Sequence, residues 1–189
     1  MKEWPLVLFT LATQLSCGLA LAATVFDARL RAADAGPMRP LAVAIFPVAA
    51  LGMLLSTAHL GRPLMAWRAA ANLGQSRLSL EVIATLLFAI LALAYSGLWW
   101  LGRTEARLAL GIATGAAGIA AVAASAAIYT VPAQPAWNSG WVPASFFGTA
   151  FLLGGLAPAL LISWRDRAVP LRLFLGAALA GSLLLQRPS

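Results

Sequence analysis

Two of the side chains most used to hold redox metals are nearly missing from this chain. Its 189 residues include one cysteine, Cys17, and one histidine, His59. A haem b held between helices takes two axial ligands, normally histidines, and an iron–sulfur cluster takes about four cysteines. Zinc takes three or four ligands from cysteine, histidine and carboxylate, and only His59 and Glu81 stand close enough in the expected topology. The chain is therefore expected to carry no haem, no iron–sulfur cluster and no metal of its own. A single cysteine makes no internal disulfide and leaves the redox compartment open. Charge is scarce too, with only 10% of residues charged. No nucleotide-binding fingerprint, metal-binding tract or long soluble insertion interrupts the sequence.

What is present is apolar. Hydrophobic residues make up 61% of the chain and its mean hydropathy is +0.86. A soluble domain of this size has no interior large enough for so much apolar surface. Runs of about 20 apolar residues, the length that crosses about 30 Å of hydrocarbon, recur along the sequence. The fold class is all-α, a polytopic transmembrane helical bundle forming one membrane domain over residues 1–189. Six spans are expected, at about 5–26, 40–60, 79–101, 107–129, 142–164 and 169–186. The sixth is short and carries Arg172 near its start. The opening residues also imitate a signal peptide, with Lys2, an apolar run and Ala20-Leu21-Ala22. Glu3 cancels the lysine, however, and the run to Phe26 is long enough to span, so a retained first helix is expected.

Punctuation between the runs supports this division. Gly36-Pro37 turns the backbone between the first two spans, and Pro40 suits the first turn of the second, where a missing N–H costs nothing. Pro47 lies inside that helix and is expected to kink it. Gly61 and Pro63 stop it. Within the loop 61–78, Leu64, Met65, Trp67 and Leu73 alternate with arginines in the manner of a short interfacial helix. The fourth span is rich in Gly and Ala, with Gly111 and Gly115 four apart, which suits close packing near the bundle centre.

The formal charge of +7 comes mostly from arginines in short loops, which fits basic flanks of membrane spans rather than nucleic acid. With the N-terminus outside, eight basic residues fall on the inner side and five on the outer. That bias favours N-out. Arg62, Arg68 and Arg77 then stand on the wrong side, as they would if a protein partner docked on their loop.

His59 closes the second apolar run and Glu81 opens the third, at the same membrane face. Ionisable groups in spans are costly and usually functional. Histidine exchanges protons near neutrality, and a partly buried carboxylate can be tuned towards the same range. Such a pair suits a small, lipid-soluble molecule that gives up protons, as a quinol does. Gln14 sits midway along the first span with Thr10 one turn before it. Its amide suits either a quinone carbonyl or a hydrogen bond joining two helices. Ser139, in Asn138-Ser139-Gly140, lies in a proline-rich loop after His59, the reverse of the rhomboid protease order. It is read as a turn serine. Trp4, Trp67, Tyr129, Trp137 and Trp141 fit an interfacial aromatic belt.

Four blocks, in matching order, resemble one known family. They are Glu3-Trp4-Pro5-Leu6-Val7-Leu8-Phe9-Thr10, Ser56-Thr57-Ala58-His59-Leu60-Gly61-Arg62-Pro63, Leu78-Ser79-Leu80-Glu81-Val82, and Pro135-Ala136-Trp137-Asn138 through Phe146-Phe147. Together they resemble the membrane anchor subunit of dimethyl sulfoxide reductase, the DmsC type. The resemblance implies a heterotrimer in which a molybdopterin catalytic subunit and a four-cluster iron–sulfur subunit sit on an anchor that exchanges electrons with menaquinol or ubiquinol. It implies quinol binding at His59 and Glu81. It also implies a bacterial inner-membrane location. Family members look like eight-helix proteins, so a protein of about six leaves the far side of the bundle open or completed by another polypeptide.

The outer loops 61–78 and 130–141, with Arg62, Arg68, Trp67, Trp137 and Trp141, are expected to dock the iron–sulfur subunit. The rival function is a small proton-coupled transporter using His59 and Glu81 as a relay, and a third is a pure scaffold. Transporters usually show repeats and broken helices at matching places in two halves. Pro47 and Pro158 interrupt two helices in that fashion, but the halves do not otherwise resemble one another. The terminal substrate and the direction of electron flow belong to the partner subunits. The topology is tested by labelling single cysteines placed at positions 35 and 70. Reagent from outside reaches position 70 and not 35. The reverse pattern overturns the N-out arrangement.

Overall fold

In this computed structural model the described residues are 4–29, 36–58, 76–130 and 138–165. They form five long helices, α1 Trp4–Arg29, α2 Arg39–Ala58, α3 Arg77–Trp100, α4 Arg107–Tyr129 and α5 Trp141–Arg165, with a single 3-10 turn at Gly36–Met38 leading into α2. All five helices are long and apolar enough to cross a membrane. They coincide with the first five expected spans to within a few residues. The sixth expected span and the interfacial helix expected in 61–78 lie outside the described residues.

The first four helices close into a ring. α1 packs against α2 and α4, and α3 packs against the same two, so α1 and α3 stand diagonally across the bundle. α5 lies against the outside of α1 and touches α4. The shared core is built largely from small side chains, among them Ala20, Ala23, Ala42, Ala49, Ala92 and Ala121, filled in by Ile45, Phe88 and Val122. In hydrocarbon there is no hydrophobic force between helices, and close backbone approach supplies much of the attraction. Two crossings show this. A Cβ on Gly18 would fall on the backbone of Ala150 and Gly154, and a Cβ on Gly154 would fall on Gly18. On α4, Gly118 gives its space to the Cys17 thiol and the Phe88 ring, and Gly115 gives its space to Leu21. The small-residue face expected on α4 is thus used by both α1 and α3.

Polar groups complete the frame. Pro47 lies within an unbroken α2, and a neighbour serves the backbone just before it. The Ser96 hydroxyl accepts from the Phe46 N–H at 3.2 Å and donates to the Ala42 carbonyl at 3.0 Å. These are the two groups an α-helix joins directly. Serine bridging of this kind is how membrane helices tolerate proline. Ser16 donates to the Ile45 carbonyl in the next turn, at 2.7 Å. Arginines close two helix ends. Arg39 donates to the Trp100 carbonyl, the last residue of α3, at 2.7 Å. Arg77 donates to the Ala127 and Thr130 carbonyls at the end of α4, at 2.6 and 2.5 Å. A cation at a helix C-terminus meets both the orphan carbonyls and the negative end of the dipole.

The α1–α5 contact sets a stability test. Gly154→Ala puts a methyl group onto the Gly18 backbone, and the two helices must separate to admit it. Overpacking of this order costs about 1–3 kcal/mol. Thermal unfolding of the purified protein in detergent should show a lowered midpoint. Gly140→Ala, at a glycine with nothing within 4 Å of the added carbon, should not.

Candidate functional site

The buried face of α3 carries Glu81, Thr85, Phe88, Ala92, Tyr95 and Trp99, a spacing of three and four residues that keeps them on one side of the helix. Glu81 is 6% exposed. Its Oε1 accepts a hydrogen bond of 2.6 Å from the Ser125 hydroxyl on α4, the bond that satisfies it among the described residues. A carboxyl group in a span needs such a partner, because a buried polar group without one costs several times more than a hydrogen bond gains.

One contact fixes the height of everything around it. Cys17 of α1 and Phe88 of α3 both pack on Gly118 of α4. α1 and α3 run in the same direction and α4 runs against them. Three residues back from Cys17 and Phe88, and three forward from Gly118, stand Gln14, Thr85 and Ala121. At 1.5 Å per residue that layer lies about 4.5 Å above the first. Seven residues along each helix gives Thr10, Glu81 and Ser125, two turns above Gly118. An apolar layer is thus followed by two polar ones towards the end where α2 finishes and α3 begins. All six residues of the two upper layers are buried.

Of the residues expected to form the site, the structure brings Glu81 and Gln14 to the same end of the bundle interior, one layer apart. Gln14 is 5% exposed and makes no hydrogen bond to another helix among the described residues, so the helix-joining role considered for it is not seen. Thr10 turns its hydroxyl back to the Val7 carbonyl of its own helix. His59 follows Ala58, the last residue of α2, and lies outside the described residues, as do Arg62, Trp67, Arg68 and Trp137. Arg77, grouped in the sequence with Arg62 and Arg68, is occupied in closing α4. Ser139 sits in the turn before α5, where its carbonyl accepts from the Val142 N–H, as a turn serine should.

Two parts of the arrangement were not anticipated. One is Ser125 as the partner of Glu81. The other lies at the far end, where Arg107 binds Asp27 through Nε at 2.9 Å and through a second guanidinium nitrogen. Its guanidinium carbon also lies 3.9 Å from the centre of the Trp99 ring. Both charges are buried, at 5% and 8% side-chain exposure. In the sequence Arg107 counted only as a loop charge for topology. Asp27 stands 80 residues before it, and no spacing links the two.

Chemically, the Glu81 end offers a carboxyl group able to accept or donate a proton, three hydroxyls and an amide. That set suits hydrogen bonding to a neutral polar head group. Among the described residues no three His, Cys, Asp or Glu side chains gather as a metal site would need.

Comparison with known proteins agrees in one direction. The family model for the DMSO reductase anchor subunit (DmsC) matches residues 1–183. The YnfH subunit of an anaerobic dimethyl sulfoxide reductase from Escherichia coli is 30% identical over 168 residues, 85% of this protein and 57% of the relative. The C subunit of the anaerobic dimethyl sulfoxide reductase of E. coli is 29% identical over 183 residues, 89% of this protein and 62% of the relative. Its counterpart from Haemophilus influenzae is 30% identical over 179 residues, 90% and 62%. The sequence thus spans about six-tenths of the length of these relatives. No solved structure matches it.

Proposed function

The chain belongs to the DMSO reductase anchor subunit (DmsC) family, and on that premise we propose that it anchors a molybdoenzyme complex and exchanges electrons with quinol at the Glu81 end of the bundle. The observation that carries the reading is Glu81 itself. It is a carboxyl group buried one turn inside a membrane helix and held by Ser125, at the end where α2 leads into His59. Burying an acid in a span is costly, and such groups are usually functional.

In this reading a quinol hydroxyl hydrogen-bonds to His59, which takes its proton. Glu81 orients the imidazole or relays the proton to water. A general base does this best with an apparent pKa near the operating pH. The protein holds no haem or cluster of its own. Electrons therefore pass directly from the quinol to an iron–sulfur partner, and the head group lies close to the docking face. That face is formed by the loops 61–78 and 130–141, with Arg62, Trp67, Arg68 and Trp137 as contacts for a four-cluster iron–sulfur subunit. Buried aromatic and arginine anchors are the residues that carry such interfaces. A molybdopterin catalytic subunit completes the complex. The protein sits in the bacterial inner membrane with its N-terminus on the periplasmic side.

Two measurements test the reading. In an assembled complex, His59→Ala and Glu81→Gln should each cut quinol-driven turnover by about 10²-fold or more, the usual worth of a general base. The soluble subunits should remain bound, because Glu81→Gln keeps the shape of the side chain and a residue near a helix end contributes little to packing. Normal quinol turnover in both variants would rule out the site. Separately, reversing charge at Arg62 and Arg68 together should release the soluble subunits from membranes. Full co-purification would contradict the docking face.

A further inference from the structure

We propose that Thr85, with Gln14 at the same height on α1, holds the second oxygen of the quinol, one helical turn deeper than Glu81. The proposal rests on the quinol reading of this end and names the part of the ligand that enters the bundle interior.

The first observation is an unpartnered hydroxyl. Thr85 is 3% exposed and its Oγ1 has no hydrogen-bond partner among the described residues. A threonine in a helix usually returns its hydroxyl to a carbonyl three or four residues back. Thr10, Thr24, Thr114 and Thr149 all do so here. Thr85 does not. A buried hydroxyl left unpaired is unfavourable, and one that persists points to a partner the bare protein lacks.

The second observation comes from the diagonal helix. Gln14 of α1 stands in the same layer, because Cys17 and Phe88 meet on Gly118 and both residues lie three positions before them. Gln14 is itself buried, at 5% exposure. Phe88, fully buried, and Cys17 close the layer beneath.

The spacing fits a ring with two opposed oxygens. Glu81 and Thr85 are four residues apart on one face of α3, an axial rise of about 6 Å. The two oxygens of a 1,4-quinol stand across a six-membered ring, a comparable separation. With one oxygen at the Glu81 layer, the other falls at the layer of Thr85 and Gln14. The chemistry of these two groups suits both redox states of the ligand. A quinol oxygen donates a hydrogen bond and a quinone oxygen only accepts one. A hydroxyl and an amide each supply donor and acceptor, so the same pair serves before and after oxidation. A carboxylate at this depth would serve only the reduced form.

The test uses the full-length protein in the assembled, membrane-bound complex, with a short-tailed 1,4-naphthoquinol as substrate. Thr85→Val removes the hydroxyl at nearly constant shape, and Thr85→Ser keeps it. Loss of one hydrogen bond to the ligand should raise the KM for the quinol about three- to tenfold in Thr85→Val. Thr85→Ser should stay within about twofold of the parent. The thermal midpoint of Thr85→Val should be no lower than the parent's, because the change removes an unpartnered buried hydroxyl. An unchanged KM in Thr85→Val overturns the proposal and leaves at most a trapped water at Oγ1. If Thr85→Val does not assemble, Gln14→Leu carries the test with the same expected rise, and no rise there overturns it as well. Glu81→Gln separates the two levels of the argument. Normal quinol turnover in both Glu81→Gln and His59→Ala removes the quinol reading altogether. Impaired Glu81→Gln beside normal Thr85→Val and Gln14→Leu removes only the deep contact.

Discussion

Arg77 is the hinge of the arrangement. It is the first residue of α3, and its guanidinium closes the last turn of α4 through the Ala127 and Thr130 carbonyls. That clamp sets the height at which two antiparallel helices pass each other. Four residues into α3 stands Glu81, and two residues before Ala127 stands Ser125, so the clamp brings the hydroxyl level with the carboxyl group. The hydrogen bond between them follows from it. Water is not available in the hydrocarbon interior to finish an incomplete bond. A slip of one turn would cost both the capped carbonyls and the partner of a buried acid. Register at this end is therefore fixed by polar groups, while small residues only permit the close approach.

The same economy runs through the other helices. Arg39 closes α3, Arg107 neutralises Asp27 under the face of Trp99, and Ser96 takes over the backbone pair just before Pro47. Removing one partner of a buried ion pair typically costs about 3–5 kcal/mol, since the other charge is left uncompensated. These basic residues also lie at helix ends, where a count by loop assigns them to topology. Both descriptions hold at once. Arg77 shows the limit of the count, because an arginine that breaks the charge trend has a structural duty before any partner is considered.

Much of the fold was legible in the sequence, since it depends on run length and composition. Five spans fall where about 20 apolar residues in succession place them, and Gly111 and Gly115 announced a close-packed α4. Glu81 and His59 stood out because ionisable groups near spans are rare. Ser125, Thr85 and the Asp27–Arg107 pair did not. Each depends on which turn of one helix meets which turn of another, and hydropathy has no period that records it. Gly18 and Gly154 escaped notice for the same reason. Each stands as an unremarkable glycine in its own helix, and only their crossing shows that a Cβ at either would strike backbone.

The distribution of polarity within the ring gives the bundle two ends with separate tasks. Above Gly118 lie the two polar layers that culminate in Glu81. Below it the interior is filled mainly by Leu19, Ala20 and Ala92, with the Thr114 hydroxyl spent on the Leu91 and Leu110 carbonyls, before Tyr95, Trp99, Asp27 and Arg107 at the far end. From Glu81 to Trp99 is eighteen residues of one helix, about 27 Å. Sites so far apart, with no shared partner, contribute to stability independently. The far end can thus hold a neutralised, stacked and tightly bonded ion pair that fixes α1 to α4, while the near end leaves the Thr85 hydroxyl without a partner among the described residues. Unspent hydrogen-bonding capacity in a buried site is costly, and a bundle can carry it only where other contacts already hold the helices. Here the clamp at Arg77, the glycine crossings and the Asp27–Arg107 pair supply that rigidity.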